Sequence, residues 1–235
     1  MRRFSICVLL YGDQEHAWLH DRCLTSLMSV LPRESAEFRI GMNEVTAEST
    51  HVLVEQFAAH FGHVQIFSGG NIGKYPRMNH MFATIPEDHY MMWFDDDSFL
   101  KPELIGHGQE WLDKITQLQE KTPGILGATY NQHWSGRHRR WVMSHPCYRG
   151  VPLHPTHEQF ITGGWWVAPM RILRMLAWPN KDLYHNGGDR MLGWVARQNH
   201  VPLVRFFEGV AINADASGVE STAPRRGLST KGLGD

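Results

Sequence analysis

Between Phe4 and Phe94, short apolar runs alternate with segments whose apolar residues recur at helical spacing, and this alternation points to a layered α/β fold. Residues 4–10 form the first run, closed by the turn Tyr11-Gly12-Asp13. Ala17, Leu24, Leu27, Met28 and Leu31 then repeat with helical period as far as Pro32. Residues 38–42 read as a second strand, Val54, Phe57, Ala58 and Phe61 as an amphipathic helix closed by Gly62, and residues 64–67 as a third strand. A loop rich in Gly and Asn, residues 68–73, leads to a short helix around 78–83. The fourth strand, residues 90–94, runs into Asp95-Asp96-Asp97, and Pro102 opens another helix reaching about Leu118. The spacing predicts a Rossmann-like, mostly parallel central sheet flanked by helices, with ligands gathering at the carboxyl ends of the strands. The aspartates sit on that edge.

The second half is less regular. Residues 125–130 and 165–168 read as strands, 171–177 and 189–199 as helices, and 203–207 as a last strand. Residues 131–160 carry no clear period, which in a compact domain marks a binding loop or lid. With 235 residues, 42% hydrophobic and 20% charged, one domain over residues 1–235 suffices, ending in a tail over 217–235 without a core pattern.

The net charge of −1 gives no global attraction to nucleic acid or an anionic membrane, so an anionic partner must meet a local patch. Cys7, Cys23 and Cys147 are odd in number and scattered, which fits a reducing cytoplasm better than a disulfide framework. Met1-Arg2-Arg3 ahead of a short apolar run, with no small-residue cleavage site after it, reads as the approach to a strand. No run is long enough to span a membrane.

Three adjacent carboxylates repel one another unless a cation neutralises them. Mg²⁺ or Mn²⁺ suits them, since these hard ions take one or two carboxylates together with substrate phosphate oxygens. Asp95 and Asp97 can reach one ion or divide ribose and metal between them, and the bland alternative is that the cluster caps the following helix. Motif context favours the site. The sequence resembles the GT-A glycosyltransferases, chiefly family-2-like members, from Phe4 to about Phe207. The matching stretches are Ile6 to Asp13, the polar strand end Asn43-Glu44, the loop Asn71-Ile72-Gly73-Lys74 with Arg77 and Asn79, and Asp95-Asp96-Asp97 as the Asp-x-Asp motif.

The resemblance implies a nucleotide-sugar donor, a UDP-sugar first, held in the half spanning about residues 1–130 by Tyr11, Asn43, Gly73, Lys74, Arg77, Asp95 and Asp96. It puts the metal on Asp97 first, with Asp95 facing the ribose or sharing the ion. Lys74 and Arg77 would meet the diphosphate, though an ordinary solvated pair is the alternative. The tail residues Arg225 and Arg226 would fold over the same diphosphate, and Asn213 or Asp215 would supply a third metal ligand.

The acceptor half, about 131–216, contains Thr162-Gly163-Gly164-Trp165-Trp166 and Asn186-Gly187-Gly188-Asp189-Arg190. The family's Glu-Asp pair is reduced to Gly188-Asp189, so the base falls to Asp189, a residue that equally suits a helix N-cap. Asp182, His185 and Trp165 are further acceptor candidates. Proton removal by Asp189 with direct attack on the anomeric carbon inverts that centre; no second carboxylate nucleophile is evident for a retaining route.

Residues 131–150 contain Arg137, Arg139, Arg140 and Arg149, together with Trp134, Trp141 and Tyr148, and no acidic residue. Such a patch suits phosphates and stacked bases, a glycan, or plain solvated packing. A more distant resemblance, carried by Lys74-Tyr75-Pro76-Arg77-Met78-Asn79 and Trp93-Phe94-Asp95-Asp96-Asp97-Ser98, is to phage and base-J-type transferases acting on hydroxymethylated pyrimidines. It implies a flipped modified DNA base as acceptor, in a bacterial or phage-infected cytoplasm. The histidines between 133 and 157 lack zinc spacing. A nucleotidyltransferase would need a basic Gly-rich signature after the first strand, which Tyr11-Gly12-Asp13-Gln14-Glu15 lacks, and a sugar- or nucleic-acid-binding module would not need the carboxylates.

Overall fold

A computed structural model describes residues 4–133, 136–144, 148–181, 183–184 and 187–212, without the side chains of 136–138 and 141. Strand β1 (Phe4–Tyr11) is buried along nearly all its length, because strands on both edges and helices on both faces leave its apolar run no solvent side. It pairs in parallel with β2 (Ala36–Asn43) and with β4 (Tyr90–Asp95), and β3 (Val64–Phe67) extends the sheet beyond β2. Helices α1 (Ala17–Val30), α2 (Glu48–Phe61) and α3 (Lys74–Phe82) are the crossovers that parallel pairing requires. Gly62 ends α2 in the left-handed region at φ 72°.

A single helix expected from Pro102 is two. α4 (Pro102–Ile105) stops at Gly106, and α5 (Gly108–Lys121) restarts against the end of α1. A side chain on Gly108 would put its Cβ 2.1 Å from the Val30 carbonyl oxygen, so only glycine permits this approach. Before α4, β5 (Phe99–Leu100) leaves the main sheet and pairs with β9 (Val210–Ala211), a two-residue ladder too short to show a period in sequence.

The segment 131–160 is more ordered than its sequence suggests. It holds the end of β6 (Ile125–His133), α6 (Gly136–Ser144) and the start of β7 (His157–Pro169). β7 runs antiparallel to both β4 and β6, whereas β8 (Leu203–Arg205) is parallel to β6, giving the order β3-β2-β1-β4-β7-β6-β8. The mostly parallel sheet thus carries one reversed strand. Helices α7 (Met170–Met175) and α8 (Gly188–Gln198) follow β7.

The core lies on both sides of this sheet. Phe94 and Trp165 pack on the face that includes Leu24, Phe38 and Trp111; Trp93 and Trp166 pack on the other, with Met78, Met191 and Trp194. Adjacent residues of β4 therefore bury opposite sides, which is why Tyr90 to Phe94 is apolar throughout.

Candidate active site

At the end of β4 the chain turns, with the Ser98 amide donating to the Asp95 carbonyl at 3.0 Å. The turn separates the three carboxylates. Asp96 is buried, and its Oδ2 accepts from the Tyr11 backbone amide at 3.1 Å and lies 3.4 Å from His20 Nε2. His20, fully buried on α1, also contacts the Tyr11 carbonyl and Thr50 Oγ1. Asp96 therefore ties β4 to β1 and α1. Asp95 and Asp97 stay half-buried on either side of it.

Lys74, the first residue of α3, crosses to this edge. Its Nζ donates to Asp95 Oδ2 at 2.5 Å and to the Gly163 carbonyl of β7 at 3.2 Å, and it lies 5.7 Å from the Trp93 ring centroid. Trp93 Nε1 donates to the other Asp95 oxygen at 2.9 Å; residues two apart on a strand share a face. Asp189 closes the group. A Cβ built on Gly163 would lie 3.4 Å from Lys74 Nζ and 3.6 Å from Asp189 Cβ, so Gly163 separates the ammonium from that carboxylate by little more than its own small volume.

Asp189 is the second residue of α8, with Gly187 at the N-cap, and its Oδ1 accepts from the Arg190 amide at 2.8 Å. It is thus not the cap that the sequence also allowed. The glycine before it has a cause: the Tyr75 ring fills the space of a side chain, its hydroxyl oxygen 1.9 Å from where a Gly188 Cβ would stand. Tyr75 is itself buried, so a glutamate at 188 has no room. Behind Asp189, Arg190 is ion-paired with buried Glu158 of β7.

Burial pushes the Asp95 carboxyl up, and Lys74 pulls it back. Burial likewise raises Asp189; the Arg190 amide, Lys74 and the Arg190 guanidinium oppose this, and Asp95 adds to it. The two carboxylates feel each other and share one ammonium. A raised carboxyl pKa makes a stronger base.

Several residues expected at the donor have other work. Asn43 is fully buried; its Nδ2 donates to Asn71 Oδ1 (2.9 Å) and its Oδ1 accepts from the Ile72 amide (3.0 Å), so it shapes the loop. The Gly73 amide is taken by Asn71 Oδ1 at 3.0 Å, and Tyr184 packs where a Gly73 side chain would be. Arg77 is buried and donates to the carbonyls of Ser68 and Gly70, bracing the same loop from below. Asp96 likewise makes a structural tie, through the Tyr11 amide and His20. Tyr11 sits half-buried at the end of β1, with its backbone held by Asp96 and His20.

On the acceptor side, Trp165 is fully buried against Phe94, Trp111 and Phe206, on the face of the sheet away from α8, and cannot touch an acceptor. Arg139 donates to the carbonyls of His154 and Pro155, while Arg140 and Arg149 are exposed. Trp134, Asp182, His185, Asn213, Asp215, Arg225, Arg226 and the side chain of Arg137 lie outside the described residues. Trp93, Gly163, Tyr75 and Arg190 stand inside the motif stretches named from sequence but were given no role there, and Glu158 was missed. Trp93 could have been found from its strand-face spacing to Asp95.

The donor set suits a hard divalent cation: Asp95 and Asp97 offer carboxylate oxygens from the same turn. Asp95 has both oxygens engaged by Lys74 and Trp93, which leaves Asp97 as the leading ligand. Among the described residues no three His, Cys, Asp or Glu side chains form a metal cluster, so phosphate oxygens or water would complete the shell.

No protein-family model and no curated protein sequence matches this chain. Solved structures do. TarS from S. aureus superposes with TM-score 0.52 at 14% identity over 87% of this chain and 58% of that one. GalNAc-T7 with UDP, GalNAc and Mn²⁺ gives TM-score 0.60 at 12% identity, over 87% of this chain and 42% of that one. The fold is GT-A. The mannosyltransferase PcManGT from Pyrobaculum calidifontis, solved with GDP-Man and Mn²⁺, is similar at TM-score 0.54 and 15% identity, over 87% of this chain and 55% of that one. This GT-A chain therefore spans roughly half the length of those solved chains, and 35% of a longer TarS chain. No helix among its described residues is long and apolar enough to cross a membrane.

Proposed function

We propose that the protein transfers a sugar from a nucleotide-sugar donor to an acceptor hydroxyl with inversion. One observation carries this: Lys74 bridges Asp95, at the carboxyl end of β4, and the Gly163 carbonyl of β7, and Lys74 Nζ and Asp189 Cβ both border the space where a Gly163 side chain would stand. A donor-side carboxylate and a candidate base thus border one space. The similar structures bound to UDP-GlcNAc, to UDP with GalNAc and Mn²⁺, and to GDP-Man with Mn²⁺ support a UDP- or GDP-sugar and a divalent ion.

Asp97 would hold Mn²⁺ or Mg²⁺, which when bound neutralises charge on the departing nucleoside diphosphate. Lys74 adds a second positive charge beside it. Asp189 Oδ1 is held by the Arg190 amide, so Oδ2 takes the acceptor proton. The acceptor oxygen then bonds to the anomeric carbon from the Asp189 side, and the carbon–oxygen bond to the diphosphate breaks with its electron pair going to the diphosphate. Entry from one face and departure from the other inverts the centre.

The acceptor we favour is a hydroxyl of a glycan. The modified DNA base is a second reading, carried by the exposed Arg140 and Arg149; the comparisons add nothing to it, and Arg139 is spent on backbone carbonyls. A panel of nucleotide sugars with Mn²⁺, offered simple glycans, DNA containing 5-hydroxymethylcytosine or 5-hydroxymethyluracil, and unmodified DNA tests both. Labelled glycans support the first, labelled modified DNA the second. No donor cleavage or transfer with any pair, together with donor binding unchanged in Asp97→Ala, defeats the enzyme reading.

A further inference from the structure

A second ion pair stands next to Asp189, and the proton transfer described above does not use it. Arg190, which follows Asp189 in the first turn of α8, pairs through Nη2 with Glu158 Oε1 of β7, while its backbone amide donates to Asp189 Oδ1. Glu158 is buried, and the Arg190 side chain is only 15% exposed. A buried pair of this kind adds little stability over apolar packing, because both ions lose their water. The docking of the helix has another cause. Gly193 brings α8 so close to β7 that a Cβ there would stand 2.6 Å from the Gln159 carbonyl oxygen, and Met191, Leu192, Trp194 and Val195 are buried on the same helix.

Charge gives the pair a use. The charged and titratable groups facing Asp189 are Lys74 and Tyr75 of α3, Asp95 of β4, Arg190 of its own helix and Glu158 of β7. Burial favours the protonated form of Asp189 and so makes its carboxylate a stronger base, whereas the Arg190 guanidinium works the other way. Burial also raises Glu158, Arg190 holds it down, and Asp189 raises it further, so the two carboxylates face one guanidinium. Glu158 also borders a cavity whose walls include His154, His157, His200 and Arg197, and Arg197 is engaged with the Pro152 carbonyl. With Glu158 ionised, the positive charge beside Asp189 is matched. With Glu158 neutral it would act on Asp189 unopposed.

We propose that Glu158 is a positioning residue for the candidate base: it holds the Arg190 guanidinium on β7 and offsets its charge, so that the first turn of α8 is anchored without a net positive charge beside Asp189. A guanidinium not held in this way would compete for the Asp189 carboxylate itself, which it can grip with two parallel N–H donors, and Oδ2 is the oxygen that takes the acceptor proton. The role of Asp189 as base rests on the transferase reading; the electrostatic link from Glu158 through Arg190 to Asp189 does not.

The test therefore needs no turnover. The Asp189 side-chain carboxyl is titrated by carbon NMR in the full chain, without metal or donor, its signal identified by its loss in Asp189→Asn. Glu158→Gln keeps an oxygen for the guanidinium but removes the charge, and is expected to lower the titration midpoint of Asp189 by about one pH unit, the small end of what an adjacent arginine does to an aspartate. Glu158→Gln combined with Arg190→Gln removes both charges and is expected to return the midpoint close to that of the wild type. Glu158→Asp keeps the charge on a shorter side chain and is expected to leave it there too. A pair that only braces the helix would instead disturb the double variant most. The cavity histidines are common to all these proteins. Where sugar transfer is measurable, the acid limb of kcat/KM should follow the midpoint down in Glu158→Gln and back in the double variant. An unmoved or raised midpoint in Glu158→Gln, or a midpoint far from the wild-type value in the double variant or in Glu158→Asp, would overturn the proposal. Midpoints that move as expected in a protein that transfers no sugar would leave the link standing and remove the transferase reading.

Discussion

Asp95 and Asp189 are two carboxylates with one ammonium between them, and the charge on each depends on Lys74. Replacing Lys74 by Met leaves Asp95 with its Trp93 hydrogen bond alone in a half-buried setting. A loss of about 1–3 kcal/mol is expected in urea unfolding without metal near neutral pH, the usual penalty of stranding a buried polar group. Because the folded-state pKa of Asp95 is already raised, stability referred to that group is greatest below the ordinary carboxylate range and declines as pH rises through the raised value. The Lys74→Met loss should accordingly shrink in acid. Asp189 leads to a kinetic expectation of the same sign. Its carboxyl is pushed up by burial, so the acid limb of kcat/KM for sugar transfer should fall above the ordinary carboxylate range, measured as a pH–rate profile. A limb at or below that range would show that another group carries the proton.

At the scale of elements, the position of Asp189 depends on how α8 begins. Gly188 touches the Tyr75 ring, and Tyr75 is fixed at the start of α3, next to Lys74. Gly188→Ala must displace either the tyrosine or the helix. The expected outcome is a fall in kcat of about tenfold or more with donor affinity little changed, since a shift near 1 Å at a reacting group is costly. Steady-state kinetics beside donor titration measures it. Among the elements read from sequence, β1, β2, β4 and helices α1, α2 and α8 each bury a continuous run or a stripe. β7 was legible only in its buried second part, because His157 to Phe160 are polar or half-exposed and show no alternation. α6, with three arginines in nine residues, has no apolar stripe to announce it. The glycine break between α4 and α5 reflects contact with Val30, a residue distant in sequence.

For the whole molecule, the reversed strand β7 is the piece that joins the halves. It pairs with β4, which ends in the aspartates, and with β6 of the second half, and it carries Gly163 and Glu158 beside α8. The aspartate triplet and Asp189 could be picked out from sequence because each stands at the end of a predicted element. Their separation by a single lysine could not, since it depends on β7 lying between β4 and β6. The same limit explains the misplacement of Asn43, Arg77 and Trp165, residue types that suit a site but whose side chains the packing turns inward. The central claim is that these carboxylates serve one cleft in two roles, and paired measurement of donor affinity and sugar transfer in the wild type, Asp97→Ala and Asp189→Asn tests it most directly. The account predicts that Asp97→Ala loses donor affinity in the presence of Mn²⁺, whereas Asp189→Asn binds donor as the wild type does and transfers no sugar. Wild-type transfer by Asp189→Asn, or wild-type donor binding by Asp97→Ala, would contradict it.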